Sequence, residues 1–134
     1  MTTVEKKEIN EEARLAWLAL ALTPQMGPTR CARAVHRLGA AERLFAASLT
    51  ELEGLGLPAE AARFCFDGRA RRAAIEEAKR IVEQQASFLT PEDEAYPGML
   101  LGIYDPPAVL WVRGDVGLLS RPGIAVVGTR QPTP

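Results

Sequence analysis

The chain has 134 residues, of which 47% are hydrophobic and 25% charged, a composition that favours about one globular domain with a real core over a disordered tail. No run approaches the ~18 consecutive apolar residues of a membrane span, and the charged start, residues 1–10, lacks a signal-peptide pattern. The net charge of −1 hides a basic middle, because residues 14–80 carry eleven Lys and Arg against seven Asp and Glu. That surplus is small for a nucleic-acid module. We expect a cytoplasmic protein without membrane association.

The segment up to residue 86 has the apolar spacing and capping signals of a helical domain. Residues 11–22, with Asn10 as N-cap, are apolar almost all round, which predicts a central, covered helix. Pro28 fits the first turn of a second helix, and Ser48 with Glu51 fits a capping box. The predicted helices cover residues 11–22, 28–38, 40–46, a short stretch from Ser48, 58–66 and 69–85.

The longest predicted helix, residues 69–85, carries many charges and one apolar stripe. The stripe consists of Ala74, Ile75, Ala78 and Val82, at the spacing of one helix face. We therefore predict that this stripe faces the core.

Two glycine-containing turns resemble helix-hairpin-helix units. The first, residues 24–28, contains Gly27, and the second contains Gly54 and Gly56. Such turns leave amide N–H groups at a helix N-terminus, where a DNA phosphate can bind. Gln25 stands where the motif usually has its first glycine, which weakens the phosphate-binding interpretation of the first turn.

Three arginines of the second helix share one face. Arg30, Arg33 and Arg37 lie at i, i+3 and i+7, so they are secondary candidates for contacts along a nucleic-acid backbone. The alternative is that these charges are only solvated. Helix pairs joined by glycine turns also occur in structural and protein-interaction folds, including the sterile-alpha-motif type.

After residue 86 the sequence changes to short strand candidates bounded by prolines. Residues 87–90 and 108–112 are two of them, and residues 124–127 are a third without any polar position. A strand apolar on both faces is typical of a parallel sheet covered by helices. Trp17 and Trp111 are both interpreted as core residues, with base stacking as the alternative for Trp111.

The reactive side chains form no catalytic pattern. Cys31 and Cys65 lack metal-ligand spacing and are interpreted as buried, reduced thiols. His36 has no nucleophile pattern around it and is interpreted as a surface residue. We predict no catalytic residue, no metal site and no cofactor.

The last forty or so residues resemble a known family in the order and spacing of several motifs. These motifs are Tyr96-Pro97, Asp105-Pro106-Pro107, Gly114 and Gly128-Thr129-Arg130. They are similar to the segment that enters the Rossmann-like domain of the DNA-processing protein A family, also called DprA or Smf. The resemblance implies a mainly α chain: a sterile-alpha-motif or helix-hairpin-helix-like domain over residues 1–86, then the first strands of a truncated Rossmann-like α/β domain over residues 87–134.

The family resemblance also implies a function. Its members bind single-stranded DNA in the bacterial cytoplasm during natural transformation, protect incoming DNA, load the RecA recombinase and are not known as enzymes. The resemblance implies DNA contacts at Gly128, Thr129 and Arg130, and a homodimer formed through the remainder of the Rossmann-like domain. Secondary DNA contacts would fall on the helical domain, at Gly27, Gly54, Gly56, Arg30, Arg33 and Arg37.

Residues 87–134 hold only the opening of such a domain, so we expect the chain to be the N-terminal part of a longer protein. Two other functions remain open at this level. One is a fragment of a Rossmann-like nucleotide-processing enzyme whose first turn is residues 128–130. The other is a helical module that docks a protein partner.

Overall fold

Helices make up most of the computed structural model, which describes residues 10–134. Residues 1–9, which include most of the charged start and the beginning of the predicted helical domain, lie outside that range. The α-helices before the first strand are α1 (Glu11–Leu22), α2 (Pro28–Leu38), α3 (Leu49–Gly54), α4 (Ala59–Phe66) and α5 (Arg69–Glu83). A 3-10 helix, Ala41–Ala46, lies between α2 and α3. The remaining elements are β1 (Ser87–Leu89), α6 (Gly98–Leu101), β2 (Leu110–Val112) and a second 3-10 helix, Val116–Ser120.

The helix ends follow the local signals in the sequence. The Asn10 side chain accepts the Ala13 N–H at 3.1 Å and caps α1. At the end of α2, Gly39 has a φ of 79°, the left-handed conformation that glycine adopts at little cost. Ser48 Oγ accepts the Glu51 N–H at 3.2 Å, and the Glu51 carboxylate accepts the Ser48 N–H at 2.7 Å. The predicted capping box is therefore confirmed.

Removing the capping hydroxyl should weaken the fold measurably. We expect Ser48→Ala to lower the free energy of unfolding by about 1 kcal/mol, because the Glu51 N–H loses its acceptor at the helix end. Urea denaturation followed by circular dichroism measures this difference. Thr50→Ala is the matched control, since Thr50 is exposed in the same helix and its hydroxyl caps nothing. Equal midpoints for the two variants would contradict the role of the cap.

Helix α1 lies at the centre of the helical part, as predicted. It packs against α2, α5 and the first 3-10 helix. Its buried side chains include Leu18 and Leu20, both with no exposed surface, and Trp17 at 4% exposure. An α-helix buried on nearly all sides needs apolar residues all round, which is the pattern that this segment shows.

Helix α5 does not bury the stripe predicted from its sequence. Ala74 is buried as expected, but Ile75 is 38% and Val82 74% exposed, while Ile81 is buried at 6%. The apolar residues of α5 form two overlapping stripes, and the position of α1 together with β1 decides which of them faces the core. The predicted inward position of Val82 was wrong.

The strands form one two-stranded antiparallel sheet. Ser87 pairs with Val112, Phe88 with Trp111 and Leu89 with Leu110. Trp111 is 49% exposed, so its interpretation as a core residue was wrong, whereas Trp17 is confirmed as core.

The strand predicted over residues 124–127 is not formed. These residues lie outside the sheet, and Ile124, Val126 and Val127 are each more than 90% exposed. A strand needs a neighbour that satisfies its backbone hydrogen bonds, and no described residue supplies one here. Within residues 10–134 the chain is mainly helical with a small sheet, which confirms the mainly α prediction.

The segment after residue 86 is anchored to the helices by side chains distant in sequence. Arg14 of α1 contacts Asp93 and Phe88, and Thr29 Oγ1 donates to Asp105 Oδ1 at 2.6 Å. Ala108 and Val109 belong to the same buried cluster as the helices. The two-stranded sheet is thus packed against the helical part. The domain boundary at residue 86 stays a prediction.

None of the helices within residues 10–134 is long and apolar enough to cross a membrane.

Candidate nucleic-acid interface

The turn Gly128-Thr129-Arg130 lies in a fully exposed segment, residues 121–134. Thr129 Oγ1 accepts the Gln131 N–H at 3.2 Å, which leaves its own hydroxyl proton available as a donor. The Arg130 guanidinium makes no ion pair or side-chain hydrogen bond with any residue of the described range. All three residues are therefore accessible to a ligand, and Arg130 offers five unused N–H donors.

Residues 96–117, which lie before the exposed segment, are held in place by local hydrogen bonds. Tyr96 is 4% exposed, and its hydroxyl donates to the Pro107 carbonyl oxygen at 2.8 Å. Burial raises the pKa of this phenol, so Tyr96 stays a neutral hydrogen-bond donor. Gly114 has a φ of 107°, a conformation open mainly to glycine, and Asp115 Oδ1 accepts the Gly117 N–H at 2.8 Å. Family motif residues thus fix the loop geometry between β1 and the second 3-10 helix.

The structure shows how glutamine fits at position 25 of the first glycine turn. Gln25 has a φ of 63°, so the position that usually holds glycine does adopt the left-handed conformation, with glutamine in it. Gln25 Nε2 donates to Glu60 at 2.9 Å, and the Gln25 carbonyl oxygen accepts from Arg30 at 2.8 Å. Gly27 has an ordinary extended φ of −82°, and apart from its chain neighbours no residue lies within 4 Å of the place its Cβ would occupy. Hydrogen bonds of the Gln25 and Arg30 side chains therefore stabilise the turn, and one N–H group of Arg30 is used in it.

The second glycine turn lies beside an arginine of the other hairpin. Gly56 has a φ of 88° and Gly54 ends α3 with open space beside it. Arg37 donates to the Leu55 carbonyl oxygen at 3.3 Å. Spacing along α2 did not predict this contact, because it depends on how α2 packs relative to α3.

The predicted arginine face is thus divided among three environments. Arg30 lies at the first turn and Arg37 at the second, while Arg33 is exposed between them and bonds to no described residue. The structure therefore brings one face of α2 alongside both turns. Of the three arginines on this face, only Arg33 has all its N–H groups without a partner among the described residues.

Trp111 has an environment that disfavours a phosphate. Its ring is half exposed, but Nε1 donates to Glu77 Oε1 at 3.0 Å. A carboxylate at the ring edge repels an anionic backbone, although Arg80 also contacts Glu77, at 3.4 Å. We do not include Trp111 in the candidate interface.

The two thiols are at least half-buried, whereas His36 lies on the surface of α2 beside Arg37. Cys31 is buried and Cys65 half-buried, both as free thiols. Burial, with Cys65 nearby, raises the pKa of the Cys31 thiol to about 12, so it is protonated and inert at neutral pH. His36 is exposed, as predicted. No group of three or more His, Cys, Asp or Glu in residues 10–134 is arranged to hold a metal ion.

Comparison with known proteins identifies the segment that contains the exposed turn. Residues 87–134 match the family described as DNA recombination-mediator protein A. The chain is 48% identical over 52 residues to the DNA processing protein DprA of Bacillus subtilis (strain 168), which covers 38% of this chain and 18% of that protein. It is 29% identical over 124 residues to Protein Smf of Synechocystis sp. (strain ATCC 27184 / PCC 6803 / Kazusa), covering 87% of this chain and 31% of that protein. No solved structure gives a significant match.

These matches confirm the family predicted from the motifs. Residues 87–134 are a segment of the DNA-processing protein A (DprA/Smf) family. The whole chain spans less than a third of the length of either curated relative.

Proposed function

We propose that this chain is part of a nonenzymatic, cytoplasmic single-stranded DNA-binding protein that protects incoming DNA during natural transformation and loads the RecA recombinase onto it. The observation that carries the proposal is the family match of residues 87–134, which includes the exposed turn at residues 128–130. The name of the matched family supports a role in DNA recombination, and the accessible turn supports direct contact with the nucleic acid.

In this proposal Arg130 provides the main phosphate contact. A guanidinium holds two phosphate oxygens by parallel N–H bonds, and this geometry suits a backbone read without sequence preference. The Thr129 hydroxyl and the Gly128 amide add neutral donors beside it.

A second contact is proposed along α2. Arg33 is exposed without a partner among the described residues, and Arg30 and Arg37 each use a single N–H group on a backbone carbonyl. Each guanidinium has five N–H donors, so both retain donors for phosphate oxygens. Gly27, Gly54 and Gly56 lie in the turns at either end of this face.

We also propose that the whole protein is a homodimer formed by its Rossmann-like part. The support is the match of residues 87–134 to the family whose resemblance implies this dimer.

Arg130→Ala should weaken binding to oligothymidylate by at least about tenfold at low salt, since a hydrogen bond to a charged group contributes about 1.5–3 kcal/mol. The slope of log K against log salt should also fall by about 0.7 for the lost phosphate contact. Fluorescence anisotropy with a labelled oligothymidylate measures both quantities.

Arg121→Ala is the matched control for this experiment, because Arg121 has the same charge in the same exposed segment and lies outside the turn. Equal losses for both variants would show only a general charge effect. A flat titration of the unaltered chain would contradict DNA binding by this part of the protein.

A further inference from the structure

A groove of about 430 Å³ opens between the end of α2, the first 3-10 helix and α3. It lies on the helical part of the chain and does not include the turn at residues 128–130. We call it the arginine groove, because Arg37 and Arg43 line it.

The rest of the arginine groove is mostly apolar. Leu38, Leu55 and Ala47 are half-buried in its lining, and Ala46 is exposed there. Covering these apolar groups with another apolar side chain lowers the free energy. They offer no hydrogen-bond donor to a nucleic-acid backbone, which is polar along its length.

Both arginines are fixed by backbone carbonyls on the groove wall. Arg37 donates to the Leu55 oxygen at 3.3 Å and Arg43 to the Leu38 oxygen at 3.1 Å. Each uses one N–H group in this way, so most of its donors remain free. An arginine already held in position loses less side-chain entropy when it binds a carboxylate.

The only acidic side chain in the groove lining is partly satisfied. Glu51 accepts the Ser48 N–H at 2.7 Å in the capping box. Two guanidinium groups against one such carboxylate leave the groove with net positive charge.

We propose that the arginine groove binds an acidic peptide segment of a partner protein. One or two apolar side chains of the peptide lie on Leu38, Leu55 and the two alanines, and its carboxylates pair with Arg37 and Arg43. Charge complementarity selects an acidic partner, and the apolar lining selects a peptide over a nucleic acid.

The test uses the 134-residue chain and a fluorescein-labelled peptide of glutamates with leucines at helical i, i+3 and i+7 spacing. We expect saturable binding by anisotropy, weakened at least about tenfold in the Arg37→Ala/Arg43→Ala double variant. Ala46→Glu should weaken it similarly by placing bulk and negative charge in the groove. Because Ala46 is exposed, this second variant keeps the test valid if the double variant fails to fold.

The controls separate this inference from DNA binding. Arg33→Ala removes a cation from the same helix outside the groove, and it should leave peptide affinity unchanged. Arg130→Ala should also leave it unchanged. Equal binding of a peptide with lysine in place of glutamate would overturn the proposal. Arg37 is shared with the proposed DNA-contacting face of α2, whereas Arg43 belongs to the groove alone. Competition by oligothymidylate that is lost in the Arg43→Ala variant would therefore also overturn the proposal, since the groove would then be a nucleic-acid site.

Discussion

Replacing Arg14 by alanine is expected to lower the free energy of unfolding by about 3 kcal/mol, because it removes two hydrogen bonds and leaves a carboxylate that is largely shielded from water without its ion partner. Arg14 Nη1 donates to Asp93 Oδ1 at 2.6 Å, and Nη2 donates to the Phe88 carbonyl oxygen at 2.7 Å. The guanidinium also lies 4.5 Å from the centre of the Phe88 ring. The side chains of Arg14 and Asp93 are only 18% and 12% exposed, so water replaces these contacts poorly.

Arg71→Ala is the control, because Arg71 also pairs with a carboxylate and lies over a phenylalanine ring, but at a more exposed site. Arg71 donates to both carboxylate oxygens of Glu12, at 3.0 and 2.9 Å, and lies 4.5 Å from the Phe45 ring centre. Its side chain and that of Glu12 are 40% and 55% exposed. Solvent screening should therefore limit the loss to about 1 kcal/mol or less.

Urea denaturation of the two variants measures this difference directly. The Arg14 variant should also exchange the Thr90 amide hydrogen faster, because Asp93, which accepts that N–H at 2.7 Å, loses its support from α1. Equal stabilities for the Arg14 and Arg71 variants would contradict the anchoring role of the Arg14–Asp93 pair.

The second large effect concerns two consecutive residues of α5. Ile81→Ala should lower the free energy of unfolding by about 2–4 kcal/mol, because Ile81 is 6% exposed and its removal leaves a cavity in the core. Val82→Ala should change it by less than about 0.5 kcal/mol, because Val82 is 74% exposed.

This pair of variants is its own control, since both remove a β-branched side chain from adjacent positions of one helix. Thermal and urea unfolding should give the same order of stability. A Val82 variant less stable than the Ile81 variant would mean that the stripe predicted from the sequence, not the observed one, faces the core.

The arginine contacts show how much of the candidate interface the sequence predicted. The common helix face of Arg30, Arg33 and Arg37 follows from helical spacing alone. Spacing alone does not predict that Arg37 contacts the Leu55 carbonyl or that Arg43 lines the same groove. Both depend on how α2, the 3-10 helix and α3 are placed together. Similarly, Gln25 could be identified as an unusual turn residue, but its left-handed φ of 63° became known only from the fold.

The amino-acid sequence alone determined the features that depend on neighbouring residues. Caps such as Asn10 and Ser48, the start of α2 at Pro28 and its end at Gly39 arise from local hydrogen bonds and allowed backbone angles. The family motifs were likewise readable as an ordered series along the chain.

The tertiary structure decided everything that depends on which surfaces meet. The Arg14–Asp93 pair joins residues 79 positions apart, and the choice of Ile81 over Val82 depends on where α1 and β1 lie against α5. The apolar residues 124–127 form no strand because strand formation requires a neighbouring strand as well as a suitable sequence, and no described residue supplies that neighbour. Local signals fix where an element begins and ends, whereas burial and long-range pairing are properties of the assembled fold.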